Sequence, residues 1–285
     1  MALTDEDVRR IEGKAEAIRE TILAMLVAAG SGHTAGPLGM ADIFAAFYFH
    51  ILKHDPKKPG WEDRDRLILS NGHIVPVRYA TMAHAGYFPV EECLTLRKFD
   101  SRLQGHPERQ RLPGLETTSG PLGSGLSQAA GMAYGLSMDG KKNRVYCLMS
   151  DGEQQEGNTW EAVMFAGKHR LRNLTAVMDR NNIQIDGMTE DVMPLESLRA
   201  KYEAFNWHVI ETSGHDIQAF IAAVNEAKAI AEKPTLILAH TIPGKGVPEI
   251  EFDYQWHGKP PTKEEAARFL KELRSGAGRV TEEYA

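Results

Sequence analysis

Short apolar runs that alternate with helical patterns predict an α/β fold with a parallel sheet covered by helices on both faces. A second observation agrees with the first. The runs end in polar or glycine-rich stretches, Asn71-Gly72-His73, Ser150-Asp151-Gly152 and Asn181-Asn182, and ligands of such sheets bind beyond the carboxyl ends of the strands. Size is the third: 285 residues, 42% hydrophobic and 25% charged, suit a globular chain with one large core. No internal repeat or long linker divides it, so one domain over residues 1–285 is expected.

The elements follow in order. Thr4 caps a first helix, with Asp7 at the capping-box position. Ile11, Ala15, Ile18, Ile22, Met25 and Ala29 form its apolar stripe, and Gly30-Ser31-Gly32 ends it. Met40 to Leu52 reads as a buried helix, and Lys53 to Arg66 as a surface loop containing Pro56 and Pro59. Arg66–Leu69 is a strand, followed by Ser70-Asn71-Gly72-His73 and a helix started by Pro76. Val145–Met149 is the next strand, and a helix follows around Trp160, Val163 and Met164. Leu174–Met178 leads into Asp179-Arg180-Asn181-Asn182. Val209-Ile210 and Leu236–Leu238 supply two more strands, separated by an amphipathic helix with Ile217, Phe220, Ile221, Val224, Ala227 and Ala231 on one face. A helical tail is expected at the C-terminal end, near Lys263-Glu264-Glu265.

Composition removes several functions. Lys+Arg 33 against Asp+Glu 39 gives a net charge of −6 with no long basic run, which disfavours nucleic acid as a partner. Cys93 and Cys147 stand far apart, so neither a disulfide framework nor a zinc site is expected. The N-terminus is acidic where a secretory leader is basic, and no apolar run reaches about 18 residues. A cytoplasmic protein with no membrane partner is the expectation.

Asp151-Gly152 and Asn181 lie about thirty residues apart, enough for a helix and a return strand, so their loops would be neighbours. A carboxylate, an amide oxygen and a backbone carbonyl make a hard oxygen set for magnesium or calcium, completed by phosphate oxygens and water. Gly152 lets the backbone approach a phosphate, and the following helix offers amide donors. Taken singly, each motif is ordinary turn chemistry; the pairing is what points to a site.

That spacing resembles the thiamine diphosphate motif, and the flanking segments resemble the transketolase family. The matching stretches are SGHTAGPLG (31–39), SNGH (70–73), GHPE (105–108), SGPLGSGLS (119–127), SDGEQQEG (150–157), DRNNIQIDG (179–187) and WHGK (256–259). They occur in family order over most of the chain. The resemblance implies a thiamine diphosphate-binding fold, with magnesium (or calcium or manganese) held by Asp151, Asn181 and the carbonyl of Ile183. It implies that Gly152 packs on the diphosphate, that His73 and His257 serve the diphosphate and reacting centre, and that Gly120 and Leu122 touch the cofactor rings. Ile185 would pack on the thiazolium, His33, His106 and His257 would act in catalysis, and Glu156 would be a buried glutamate meeting its counterpart at a subunit interface. His50, His54, His84, His169, His208, His215 and His240 match no motif, and Lys245 and Lys259 are placed near the mouth.

The implied activity is transfer of a two-carbon ketol unit from a ketose phosphate to an aldose phosphate, as in the pentose phosphate pathway. The resemblance also implies a partner: the pyrimidine-binding and C-terminal domains of a full transketolase find no counterpart here, so a second chain would supply them in a heterotetramer of two plus two. The alternatives are the same chemistry on a branched or sulfonated sugar, and a cofactor-binding subunit without turnover. The histidine set with GHPE and WHGK speaks against deoxyxylulose-phosphate synthase and 2-oxo acid dehydrogenases. Two positions depart from the family: Ser150 stands where glycine is common, and Pro243 removes an amide donor from a loop that often approaches the cofactor.

Overall fold

The computed structural model describes residues 3–276. Helix α1 (Asp5–Ala29) opens with the expected capping box: the Thr4 hydroxyl accepts from the Asp7 amide while the Asp7 carboxylate accepts from the Thr4 amide. It closes on Gly30 at φ 64°, the left-handed cap that lacks a Cβ penalty in glycine. Ile11, Ala15, Ile18, Ile22 and Met25 are buried, and Ala29 is partly so. The helix read as Met40–Leu52 is divided. The segment comprises α3 (Ala41–Ala46) and a π-helical turn over Phe47–Ile51 that buries Phe47, Tyr48 and Ile51, and a short helix α2 (Ala35–Gly39) precedes it.

Strand β1 (Arg66–Leu69) and helix α4 (Val75–His84) match their predicted positions. Helix α5 (Ser124–Met138) has no counterpart among the predicted elements; its three internal glycines hide the helical pattern. Then follow β2 (Val145–Ser150), α6 (Gly157–Lys168), β3 (Leu174–Arg180) and a small hairpin of β4 (Ile183–Gln184) and β5 (Gly187–Met188). The chain continues through α7 (Thr189–Val192), α8 (Leu198–Ala204), β6 (His208–Ser213), α9 (Ile217–Ala229), β7 (Thr235–His240) and α10 (Lys263–Ser275). Ala231 does not belong to the α9 stripe: the helix stops at Ala229, and Ala231 is exposed.

The main sheet has the order β1-β2-β3-β7-β6, and every pairing in it is parallel. Alternate strand residues separate two cores. Leu67, Leu69, Tyr146, Leu148, Val177 and Ile237 pack with α1, α3, α4 and α9, whereas Ile68, Cys147, Met149, Ala176, Met178 and Leu238 pack with α5, α6 and α8. The order runs outward from β1 to β3, then jumps to β6 and returns to β7. The crossover helices α6 and α9 accordingly lie on opposite faces, and the reversal between β3 and β7 opens a crevice at the carboxyl ends of those strands.

One contact sets the geometry of this crevice. Helix α5 begins directly on the end of β1, where a Cβ built on Gly125 would lie 2.6 Å from Ser70 Cα. Gly125→Ala should therefore destabilise the chain by about 1–3 kcal/mol through overpacking. Gly131→Ala, in open space on the same helix, should instead stabilise it by about 0.5–1 kcal/mol. Urea unfolding checks both; equal effects would contradict the close approach.

Candidate active site

Strands β2 and β3 end together, with Ser150 opposite Asp179 in the last rung of their ladder. This brings Asp151 beside Asn181 and Asn182, as the spacing predicts. Asp151 is fully buried. Its Oδ1 accepts from the Gly152 amide at 2.7 Å, and its Oδ2 from the Asn182 amide at 2.8 Å and the Arg180 guanidinium at 2.9 Å. Arg180 is shared with Glu190 and Glu196, both at 2.8 Å, so the local charge stays negative. Burial raises the Asp151 pKa, against the pull of Arg180 and the amides.

Asp179 lies beneath. It accepts from the Thr241 hydroxyl and, at 2.8 Å, from Asn181 Nδ2, which leaves Asn181 Oδ1 as the acceptor on the other side. Burial pushes Asp179 up to about 7, with the charge of Asp151 adding and the two hydrogen bonds opposing. The motif gives Asp179 no role of its own; in the structure it orients the amide of Asn181. Glu153, likewise without a role in the motif, is buried and accepts from the Ser70 hydroxyl and the Gly123 amide, with the Ser150 amide at 3.3 Å. It ties the ends of β1 and β2 to the 119–123 loop. Glu156, for which the resemblance implies burial against its counterpart at a subunit interface, is exposed in the single chain. A 3-10 turn over Gly152–Gln155 turns Glu153 inward, and α6 begins at Gly157.

Three histidines meet beside this platform. The ring centroids of His33 and His73 are 4.8 Å apart, those of His73 and His257 5.1 Å, and those of His33 and His257 5.6 Å. Burial, then the neighbouring His257, Arg97 and His106, depress His33 to about 4; burial takes His257 to about 4 and His73 well below its ordinary value. All three are neutral imidazoles at pH 7. Nδ1 of His33, Nδ1 of His257 and both polar atoms of the Asn71 amide are buried without a hydrogen-bond partner.

The remaining predicted residues converge here. The Thr34 hydroxyl donates to the Lys259 carbonyl at 2.5 Å, joining the 31–34 and 256–259 segments. The β4–β5 turn presents Ile185, 63% exposed, and a Cβ built on Gly258 would lie 3.6 Å from Ile185 Cδ1 and 3.8 Å from His33 Nε2. Gly120 lies against the His106 ring, and Leu122 follows in the same loop. His106 stands on the rim with Arg97, Ser31 and Ser119 around a hollow of about 600 Å³. Arg97 belongs to no motif, so the sequence gives no sign of it.

Lys245 is not at this mouth: it lines a separate hollow with Arg19, Asp42 and His215. Lys259 covers the Trp256 ring at 3.8 Å and pairs with Glu265. The other histidines have local contacts, for example His84 with Thr21 and His208 with Glu226. His215 is buried between the Asp42 carboxylate and the Ile242 amide. In the Pro243 loop the Gly244 amide donates to the Ala35 carbonyl at 2.9 Å, so the loop is bound to α2.

A cofactor or metal can be tested against these groups. Among the described residues no group of three or more His, Cys, Asp or Glu is placed to hold a metal. The available set is one carboxylate with amide and carbonyl oxygens, suited to a hard cation that keeps phosphate and water ligands. Asp151 has about four acceptor positions, and its three hydrogen bonds leave one open. The residues fit such an ion together with a polar anionic cofactor.

The crevice, its buried carboxylates and its neutral imidazoles define an α/β protein that binds an anionic cofactor at the ends of its strands. Residues 12–277 match the family model described as "Transketolase, thiamine diphosphate binding domain". The 6-deoxy-6-sulfo-D-fructose transketolase subunit of Clostridium sp. (strain MSTE9) is 42% identical over 254 residues, 89% of this chain and 92% of that one. An apulose-4-phosphate transketolase subunit of Phocaeicola vulgatus is 38% identical, covering 93% of this chain and 94% of that one. The solved transketolase from Leishmania mexicana superposes with a TM-score of 0.88 at 34% identity, over 93% of this chain but 41% of the longer one. The chain belongs to the transketolase family and carries its thiamine diphosphate-binding domain. It is an enzyme chain whose chemistry is ketol transfer. Among the described residues no helix is long and apolar enough to cross a membrane.

The imidazole pKa values carry a sign that can be checked. Lowered values mean that the folded state holds fewer protons than the unfolded chain between about pH 4 and 6.5, so these groups stabilise the fold above that window and lose the contribution as pH falls through it. Asp179, raised to about 7, acts in the opposite sense. Site-resolved NMR titration separates them: His33 and His257 should titrate near 4. Midpoints at the ordinary value of about 6.5 would show the cluster to be solvated.

Proposed function

We propose that this chain is the diphosphate-binding half of a two-chain transketolase and moves a two-carbon ketol unit from a ketose phosphate to an aldose phosphate. The observation that carries this reading is the cluster of neutral, half-buried histidines, two of them with a buried and unpaired Nδ1, beside the Asp151–Asn181 platform. Magnesium, or calcium or manganese in its place, would be held by Asp151, Asn181 and the carbonyl of Ile183. Gly152 would lie against the diphosphate. A Cβ there would only touch Gln184 Cβ at 3.4 Å, so the glycine is not demanded by packing within the chain. His73 and His257 would receive the diphosphate side, with Gly120, Leu122 and Ile185 at the rings.

Bound thiamine diphosphate supplies the electron sink for breaking and forming the carbon–carbon bond. The chain's own residues orient the reactants and handle protons. His33 and His106 would donate to, or accept from, the oxygens of the sugar, and His257 would act beside them. An imidazole of depressed pKa is a weak base; the negative charge of a diphosphate raises its proton affinity towards neutral pH, so cofactor binding prepares these groups.

The relatives named as subunits support a partner chain. It would be a C-terminal transketolase chain with the pyrimidine-binding domain, in an assembly of two plus two within the cytoplasm. Glu156 would face a second copy of this chain. Its exposure supports this, as do the exposed apolar residues Tyr134, Met138, Met164 and Phe165 on the neighbouring helices α5 and α6. A sulfonated or otherwise unusual sugar is a second reading, favoured by the Clostridium relative's name.

The test is to purify the chain with and without the protein encoded beside it, and to assay transfer from xylulose 5-phosphate to ribose 5-phosphate with thiamine diphosphate and magnesium. Activity in the mixture alone is expected. Activity of the single chain would overturn the need for a partner. An inactive mixture that turns over a 6-sulfo sugar would select the second reading.

A further inference from the structure

A hollow of about 280 Å³ opens at the opposite end of the sheet from the crevice. Its walls are the segment entering β2 (Lys141, Lys142, Arg144), the turn before β3 (Arg172) and the end of α9 (Lys228). Strands β2 and β3 separate it from Asp151 and Asn181 by six to seven residues, on the order of 20 Å at strand rise. It is a different place from the active site.

Five cationic side chains line this hollow and no carboxylate does, in a chain whose net charge is −6. Two acids stand near the hollow, outside its lining. Asp65 accepts from the Arg144 and Lys53 amides at 3.0 Å, and Asp63 pairs with Lys141 at 3.8 Å. Arg144 is a fixed part of the wall, its guanidinium bonded to the carbonyls of Arg172 and Lys228. Those bonds use two of its five N–H donors and leave three. Lys142, Arg172 and Lys228 have no side-chain hydrogen-bond or ion-pair partner among the described residues. Lys228 is half-buried, and burial lowers its pKa against the pull of Asp65, with the neighbouring Arg144 adding a smaller push downward.

Five cations gathered in a concave place, with only Asp63 and Asp65 near them, carry a net positive charge that an anion would offset. A fixed guanidinium fork with ammonium groups around it matches the oxygens of a phosphoryl group. The volume lies at the small end of ligand pockets, which suits a compact molecule rather than a dinucleotide. We propose that this hollow binds a small phosphorylated anion, inorganic phosphate or a sugar phosphate, at the end of the sheet opposite the thiamine diphosphate site.

Equilibrium dialysis of the full chain against labelled phosphate and labelled ribose 5-phosphate, at constant ionic strength, tests this. Lys142→Ala/Arg172→Ala changes two exposed side chains without partners, and thermal unfolding confirms that the variant is folded. The double variant should lose about tenfold or more in affinity, while His33→Ala retains the site. Tighter binding of ribose 5-phosphate identifies a sugar phosphate; equal binding identifies phosphate itself. The proposal is overturned if no saturable binding occurs, or if His33→Ala abolishes it and the double variant does not. It is also overturned if an oligoglutamate peptide binds where both phosphates fail, which would make the hollow a contact for an acidic protein segment.

Discussion

Ser150 and Asp179 face each other across the last rung between β2 and β3, and the position of everything at the crevice depends on that register. Side chains alternate along a strand, so a slip of one residue would turn Cys147 and Met149 from the α5–α6 core into the α1–α4 core and move Asp151 away from Asn182. The register is held by full burial of both strands, whose faces are filled from two directions. A hydrophobic constraint thus sets the place of three buried carboxylates.

Those carboxylates are costly groups to bury, and each is compensated differently. Asp151 has a guanidinium and two amides, Asp179 a hydroxyl and an amide, and Glu153 a hydroxyl and two amides. Their partners come from β1, the 119–123 loop, β3 and the residue after β7, so the charges stitch together the ends of strands that the core aligned. The histidines are the complement. They are uncharged, incompletely bonded and placed where a polar anionic molecule would supply the missing partners.

Much of this is legible in the residues. The strands are readable because both of their faces are apolar, and β1 is located to the residue. Helix α5 is not, because Gly125, Gly131 and Gly135 break the apolar period that marks a helix; at Gly125 the reason is contact with Ser70, which no local pattern encodes. The motif spacing anticipates that the Asp151 and Asn181 loops are neighbours, and the three histidines named from the motifs lie with their ring centroids 4.8 to 5.6 Å apart. They do not say which glutamate of SDGEQQEG turns inward, because that depends on a 3-10 turn set by Ser150 and Gln154. Arg97 reaches the rim from a left-handed residue at φ 58°, and His215 supports the Ile242 loop across the fold. Tertiary packing decides both, so sequence spacing carries no sign of them.

The joined ends of β2 and β3 are proposed to hold a diphosphate together with a metal ion. Calorimetric titration of thiamine diphosphate with and without magnesium tests it most directly, comparing the native chain with Asp151→Asn, which keeps the side chain's size and removes its charge. Magnesium is expected to strengthen cofactor binding in the native chain and to have no such effect in the variant. Equal strengthening in both would contradict it and place the ion elsewhere.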